Sequence, residues 1–222
     1  MSADRVALVT GANRGLGRAV AAALAAEGTT VWLAVRDRQA GEDAAATIGP
    51  RAKVVEADLD HPERLADLPG QTGPIDILVN NAGLARTGNM LDDPEGFATQ
   101  MRVMVHAPYE LIRLYAPAMA ERGWGRIVNV SSMAGSFGAG LHGPHAYGVA
   151  KAALNALTLA LSRQLPPSIH INAICPGWMA TRMGRPDADP PEVAAAQVLH
   201  LATLPDDGPT GCFFKDGEQQ PW

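Results

Sequence analysis

Tyr147 and Lys151 stand four residues apart in a stretch rich in Ala and Leu, so on a helix they share one face. A phenol with a pKa of ~10 is a poor acid or base at neutral pH. An ammonium one turn away favours its phenolate form. Such a phenol could give a proton to a reacting oxygen or take one back. Ser132, at the end of the strand-like run RIVNVS, could hold the same oxygen by a hydrogen bond. Taken alone, Tyr-x-x-x-Lys is also a common pattern of ordinary helix-surface packing.

A second constellation lies near the N-terminus. TGANRGLG, residues 10–17, stands between an apolar strand and a helix. In that context a glycine-rich turn can carry a pyrophosphate: Gly11 permits the tight turn, and Gly15 and Gly17 allow close approach of backbone and helix. The end of the following strand, where NAD binders usually offer a carboxylate to the ribose, reads Val35-Arg36-Asp37. Arg36 and Arg14 are two guanidiniums able to clamp a 2′-phosphate, which points to NADP(H) rather than NAD. Asp37 either points to solvent or weakens that preference. Asp58 could accept from an adenine amino group or cap the short helix after it, with Asp60 the nearer cap. Asn80-Asn81-Ala82-Gly83 ends a further strand with small residues that would admit a cofactor closely. With a nicotinamide present, the Tyr–Lys pair would serve hydride transfer to or from a carbonyl.

The elements that must position these residues are legible from apolar runs. Strands are expected at 5–10, 31–35, 52–57, 75–80, 126–131, 169–174 and 211–215. Helical spacing covers 15–27, 37–48, 61–68, 94–102 and 103–121 (two helices or one broken element), 147–164 and 190–203, the final one with Asp189 as N-cap and Pro190 first. Apolar strands without alternation, separated by helices, mean a parallel sheet covered on both faces, with ligands beyond the carboxyl ends of its strands.

Composition narrows the classes. The net charge is -5 and no Lys/Arg run is present, which argues against nucleic acid. No apolar stretch reaches the ~18 residues of a membrane span, and no basic, then apolar leader precedes the first strand. Cys175 and Cys212 lie in strand-like runs outside any CxxC, and read as buried reduced thiols. His142 and His145, just before Tyr147, read as pocket-edge or surface residues, and no ligand cluster suggests a metal. The expectation is a cytoplasmic protein with no membrane or nucleic-acid partner.

In this order, TGANRGLG, Asp58, NNAG at 80–83, Ser132, YGVAK at 147–151, and PG at 176–177 with Thr181 beyond it closely resemble the short-chain dehydrogenase/reductase family, from about Val6 to Gly217. The resemblance implies a single Rossmann-type α/β domain over 1–222, doubly wound, with a mainly parallel seven-stranded sheet and helices on both faces. It implies that Tyr147 is the acid/base, that Ser132 orients the substrate, and that Lys151 also binds the nicotinamide ribose. It places Thr181 on the carboxamide and extends the cofactor contacts to Asn13, Leu16, Leu59, Asn81, Ala82, Gly83, Pro176, Gly177 and Met179. The tail TGCFFKDGEQQPW and the segment PGWMATRM are similar to small carbonyl-reductase-like members, which implies reduction of a ketone or aldehyde. Leu84, Met133, Phe137, Trp178 and Met183 would form an apolar substrate wall.

Three departures from the family pattern stand out. Met104 occupies the place of an Asn that holds a proton-relay water, so the relay is incomplete or His106 or the backbone substitutes, which bears on catalytic rate and not on cofactor binding. The loop SFGAGLHG before Tyr147 is two residues longer than the common version. The segment 182–191 leaves room only for a small flap over the pocket. The main alternative is therefore a weakly catalytic or non-catalytic NADP-binding sensor or scaffold, with epimerisation or dehydration on the same scaffold a third reading. Apolar residues on more than one face of two helices (Tyr109, Ile112 and Tyr115; Leu154, Leu157 and Leu161) suggest a homodimer or a dimer of dimers.

Overall fold

The computed structural model describes residues 4–86, 88–143, 145–181, 183–184 and 186–222. Arg182 and Arg185, in the segment expected to form the short flap, lie outside the described residues. The strands β1 (Val6–Thr10), β2 (Thr30–Val35), β3 (Ala52–Glu56), β4 (Ile77–Asn80), β5 (Gly125–Val130), β6 (Ile169–Cys175), β7 (Phe213–Lys215) and β8 (Glu218–Gln220) form one sheet in the order β3-β2-β1-β4-β5-β6-β7-β8. All pairs are parallel except β7 with β8. The eighth strand corrects the seven-strand expectation. GEQQ is polar and short, so no apolar run marks it; it is an edge strand held by its pairing with β7.

Successive residues of the central strands enter opposite cores, as a sheet covered on both faces requires. Ala7 and Val9 face a cluster that includes Val20 and Leu24 of α1 (Gly15–Ala26) and Val198 and Leu201 of α7 (Pro191–Ala202). Leu8, Leu78 and Ile127 face a second cluster with Leu65, Leu68 and the α5 (Ala107–Glu121) residues Leu111, Tyr115 and Met119. The remaining helices are α2 (Arg38–Ile48), α3 (Leu68–Thr72), α4 (Pro94–Met101) and α6 (His145–Ser162). A 3-10 turn, Pro62–Asp67, precedes α3, and a π-helical turn, Arg102–His106, joins α4 to α5 without a break.

Several local assignments shift. Asp37 caps α2 by accepting from the Ala40 amide at 3.1 Å. Asp60 does not cap the 3-10 turn; it pairs with Arg102 at 2.7 Å, because a guanidinium is within reach. Pro190, not Asp189, is the cap residue of α7, and Asp189 bridges to Met179 through the backbone. Ile112, Tyr115 and Leu154 are buried in this chain's own cores, so they are not free for a partner; Tyr109 and Val149 are the large apolar side chains exposed on α5 and α6. Cys175 is buried and Cys212 partly so, and both are free thiols. Among the described residues no helix is long and apolar enough to cross a membrane.

Candidate functional site

The sheet order reverses between β1 and β4, so their carboxyl ends diverge and open a crevice. Thr10 and Asn81 define its floor. The Thr10 hydroxyl accepts from the amides of Asn81 and Ala82 at 2.9 and 3.0 Å, and Asn81 Nδ2 donates to the Thr10 carbonyl at 2.8 Å. The Asn81 side chain thus shapes the glycine turn. Gly11 and Gly15 adopt positive φ, +65° and +53°, which only glycine does cheaply. A Cβ on Gly17 would lie 2.5 Å from both Asn81 Nδ2 and the Gly11 carbonyl, so α1 begins as close to the turn as backbone permits.

This end fits an anionic dinucleotide. The cap residue of α1, Arg14, makes no side-chain cap, and the first turn carries no acid, so the helix N-terminus presents amides and positive potential to the crevice. Arg14 and Arg36 are exposed and make no ion pair among the described residues. Because Asp37 is committed to α2, it leaves Arg36 unopposed. Asp58 Oδ1 accepts from the Asp60 amide at 3.1 Å, within the turn that follows β3. Leu16 and Leu59 are buried in the two cores, which leaves only their main chains for a ligand. Asn13, Ala82 and Gly83 are half-exposed at the crevice. Thr181 reaches over the turn: a Cβ on Gly15 would meet its Cγ2 at 3.4 Å. The Thr181 amide donates to Met179, tightening the loop after Pro176 and Gly177.

The second constellation assembles at the end of β5. Ser132 is followed by a 3-10 turn, Met133–Gly135, which it caps through the Ala134 amide at 3.2 Å. That turn lies directly on α6: a Cβ on Gly135 would come within 2.5 Å of Ala152 N and the Lys151 carbonyl carbon. Ser131 Oγ donates to Asn155 Oδ1 at 2.5 Å, and Asn155 Nδ2 donates to the Gly135 carbonyl at 3.2 Å. A second buried chain runs from Asn80 Nδ2 to Asn129 at 2.8 Å and from Asn129 Nδ2 to Thr158 at 2.9 Å. The sequence reading named Asn80 but missed Asn129, Ser131, Asn155 and Thr158, although polar side chains inside apolar strands and helix faces were the available signal.

As a result Ser132, Tyr147 and Lys151 converge. Ser132 stands close enough to the Tyr147 phenol to favour its ionised form, and Lys151 Nζ lies 5.6 Å from the Tyr147 ring centre. Lys151 is buried, and its Nζ donates to the Val130 carbonyl at 2.6 Å. Burial pushes its pKa down to about 8, with the nearby Cys175 sulfur acting the other way. Burial pushes the Tyr147 phenol up, partly offset by the neighbouring Ser132 hydroxyl. Met104 is fully buried in the π-helical turn, and Gly83 separates it from the lysine: a Cβ there would sit 3.5 Å from the Met104 sulfur and 3.8 Å from Lys151 Nζ.

The expected apolar wall is an open rim. Phe137, Trp178 and Met183 are 71%, 66% and 50% exposed, and Leu84 is half-exposed. Met133 is partly buried and packs against Cys175 and Phe213. His142 and His145 are exposed. Among the described residues no group of three or more His, Cys, Asp or Glu side chains gathers as a metal site.

The sequence model of the family described as short chain dehydrogenase matches residues 5–191. An uncharacterised oxidoreductase of Mycobacterium tuberculosis is 38% identical over 187 residues, 80% of this chain and 70% of that one. An NADPH carbonyl reductase of Mus musculus is 32% identical in an alignment covering 100% of both chains. A metagenomic short-chain oxidoreductase solved in complex with NADP superposes with a TM-score of 0.81 at 30% identity, over 96% of this chain and 97% of that one. With its crevice between β1 and β4 and a family match running from the first strand to the start of α7, this chain belongs to the short-chain dehydrogenase/reductase family of oxidoreductases.

Proposed function

We propose that the protein is an NADP(H)-dependent carbonyl reductase acting on an apolar ketone or aldehyde, reversibly, and that it works as a homodimer. The observation that carries the chemistry is the convergence of Ser132, Tyr147 and Lys151 at the mouth of the crevice. Ser132 holds the carbonyl oxygen, and Tyr147 delivers its phenolic proton to that oxygen. Lys151, one helical turn on, stabilises the phenolate left behind and is held in place by the Val130 carbonyl. A nicotinamide, when bound, would supply the hydride. Thr181, Lys151 and the segment Asn81 to Gly83 would hold that end of the cofactor, and the glycine turn with Arg14 and Arg36 the phosphates. Resemblance to the mouse NADPH enzyme and to the NADP-bound structure supports the cofactor assignment. The apolar rim of Phe137, Trp178 and Met183 supports a bulky apolar substrate in an open pocket.

The test is NADPH consumption across a panel of ketones and aldehydes, with product identified by mass. Turnover of an apolar member that is lost in Tyr147→Phe supports the reading. One observation favours a second reading, a nucleotide-binding sensor: buried Met104 offers the lysine no hydrogen-bond donor for a proton relay. Tight NADPH binding with no turnover on any panel member would select it.

A further inference from the structure

Beneath the loop that follows Ser132 lies a third, small apolar cluster. Ala173, Cys175 and Phe213 are buried in it, with Met133 and Trp222 packed against them. The Trp222 ring stacks on Phe213 with centroids 5.8 Å apart and planes 16° from parallel. The backbone of the same tail grips the loop. The Gly138 amide donates to the main-chain oxygen of Trp222 at 3.0 Å. Ser136 Oγ donates to the Pro221 carbonyl at 3.3 Å and accepts from the Ala139 amide at 3.2 Å. A Cβ on Gly138 would lie 3.2 Å from Pro221 Cγ. The antiparallel β8 strand, which the apolar pattern did not reveal, carries the tail to this place.

We propose that Pro221 and Trp222 are positioning residues for the substrate side of the site. They form a strap that holds residues 136–141, and with them Ser132, Met133 and the rim residue Phe137, where a carbonyl must be met. The loop needs such support. It contains Gly138 and Gly140, and Leu141 holds a φ of 50°, which a non-glycine residue occupies only when its surroundings impose it. Among the described residues the hydrogen bonds and ring stack of Pro221 and Trp222 go to Ser136, Gly138 and Phe213 and none goes to the glycine turn or to residues 81–83, so the strap bears on the ketone side and not on the dinucleotide phosphates. A small misplacement of Ser132 costs turnover steeply, because hydrogen bonding to the reacting oxygen depends on tenths of an ångström. The kinetic part of this inference rests on the carbonyl-reductase reading; the contact between strap and loop does not.

The test compares Trp222→Ala, Trp222→Phe and Ser136→Ala with the native protein by hydrogen exchange of residues 136–141, NADPH titration and steady-state reduction of the best ketone. In Trp222→Ala the amides of Gly138 and Leu141 should exchange at least about tenfold faster. In the same variant ketone kcat/KM should fall about tenfold while the NADPH Kd stays within about twofold. Phenylalanine, which keeps the ring stack, should restore both readouts. Ser136→Ala, which removes only the bond to Pro221 and the local turn acceptor, should give the same split at smaller size, and it carries the test if Trp222→Ala does not fold. Unchanged exchange in folded Trp222→Ala and Ser136→Ala overturns the strap. Faster exchange with unchanged ketone kcat/KM overturns its positioning role, as does an equal loss of ketone and NADPH affinity. A native protein that reduces no carbonyl refutes the proposed function, and the exchange measurement alone then decides whether the strap holds the loop.

Discussion

At the scale of single residues, Tyr147 and Lys151 are an acid and a base whose environments move them in opposite directions. Both are desolvated, and desolvation penalises whichever form is charged, so the phenol rises and the ammonium falls. If the Tyr147 proton is the one delivered, Tyr147→Phe keeps the ring and the packing yet lowers ketone kcat/KM at least about 100-fold, roughly 2.7 kcal/mol of transition-state stabilisation. Retention of more than about a third of native kcat/KM in the folded variant would remove Tyr147 from the chemistry. Lys151 also makes a stability prediction for the cofactor-free protein. The unfolded chain keeps the lysine proton up to the ordinary range near 10.5, whereas the folded protein releases it near 8. Between those values the unfolded state binds more protons, so this residue's contribution to stability rises with pH across the window and is lowest below it. Relative to Lys151→Met, native Tm should therefore gain as the pH is taken from about 7.5 to about 10; a constant difference would show that the lysine is not desolvated. In the proposed reading Arg14 and Arg36 govern cofactor choice. Kd for NADPH should be at least about tenfold below that for NADH, about 1.4 kcal/mol, and the double Ala variant should lose the difference. Equal values in the native protein, by fluorescence titration, would refute the assignment.

At the scale of elements, the decisive contact is the 3-10 turn Met133–Gly135 on α6. Two helical residues four apart bring Tyr147 and Lys151 together by local geometry, but Ser132 reaches Tyr147 only because nothing larger than hydrogen stands between Gly135 and the α6 backbone. Gly135→Ala forces the turn and the helix apart. Overpacking of this kind costs about 1–3 kcal/mol of stability. Ketone kcat/KM should drop more than about tenfold while the NADPH Kd rises by much less, since of the displaced groups only Lys151 faces the cofactor in the proposed reading and the phosphates are held elsewhere. Native kinetics in Gly135→Ala would mean that the turn tolerates displacement and that Ser132 does not depend on it. The π-helical turn at Arg102–His106 is the other element-level feature. It keeps α4 and α5 continuous where the apolar pattern suggested a break, and it buries Met104 behind Gly83.

At the scale of the whole molecule, the fold separates the two ligands. In the proposed reading, β1, α1, β2 and β4 would build the dinucleotide end and β5, α6 and the strap the carbonyl end, the two meeting near Gly83 and Lys151, which lie close together. Assembly belongs to this scale as well. Of the six side chains whose spacing suggested a second apolar face, Ile112, Tyr115 and Leu154 serve the chain's own cores. A two-fold pairing would therefore use the exposed Tyr109 and Val149 with the charged groups around them. Light scattering at ~50 μM, well above a Kd of ~1 μM for a stable pair, should give twice the chain mass; a monomer mass would refute the dimer. The sequence by itself determined what depends on neighbours along the chain: the order of strands and helices, the parallel sheet, the glycine turn, and the shared face of Tyr147 and Lys151. These follow from periodicity and from backbone conformations that particular residues permit. Only the tertiary structure decided what Asp37, Asp60, Met133 and the polar ladder of Ser131, Asn155, Asn129 and Thr158 do, and where Pro221 and Trp222 end. The polarity of β8 hid it from the apolar pattern, and its pairing with β7 reveals it. Each of these choices was made by a partner distant in sequence or by competition for a nearby donor, and a pattern read along one chain contains no term for which partner wins.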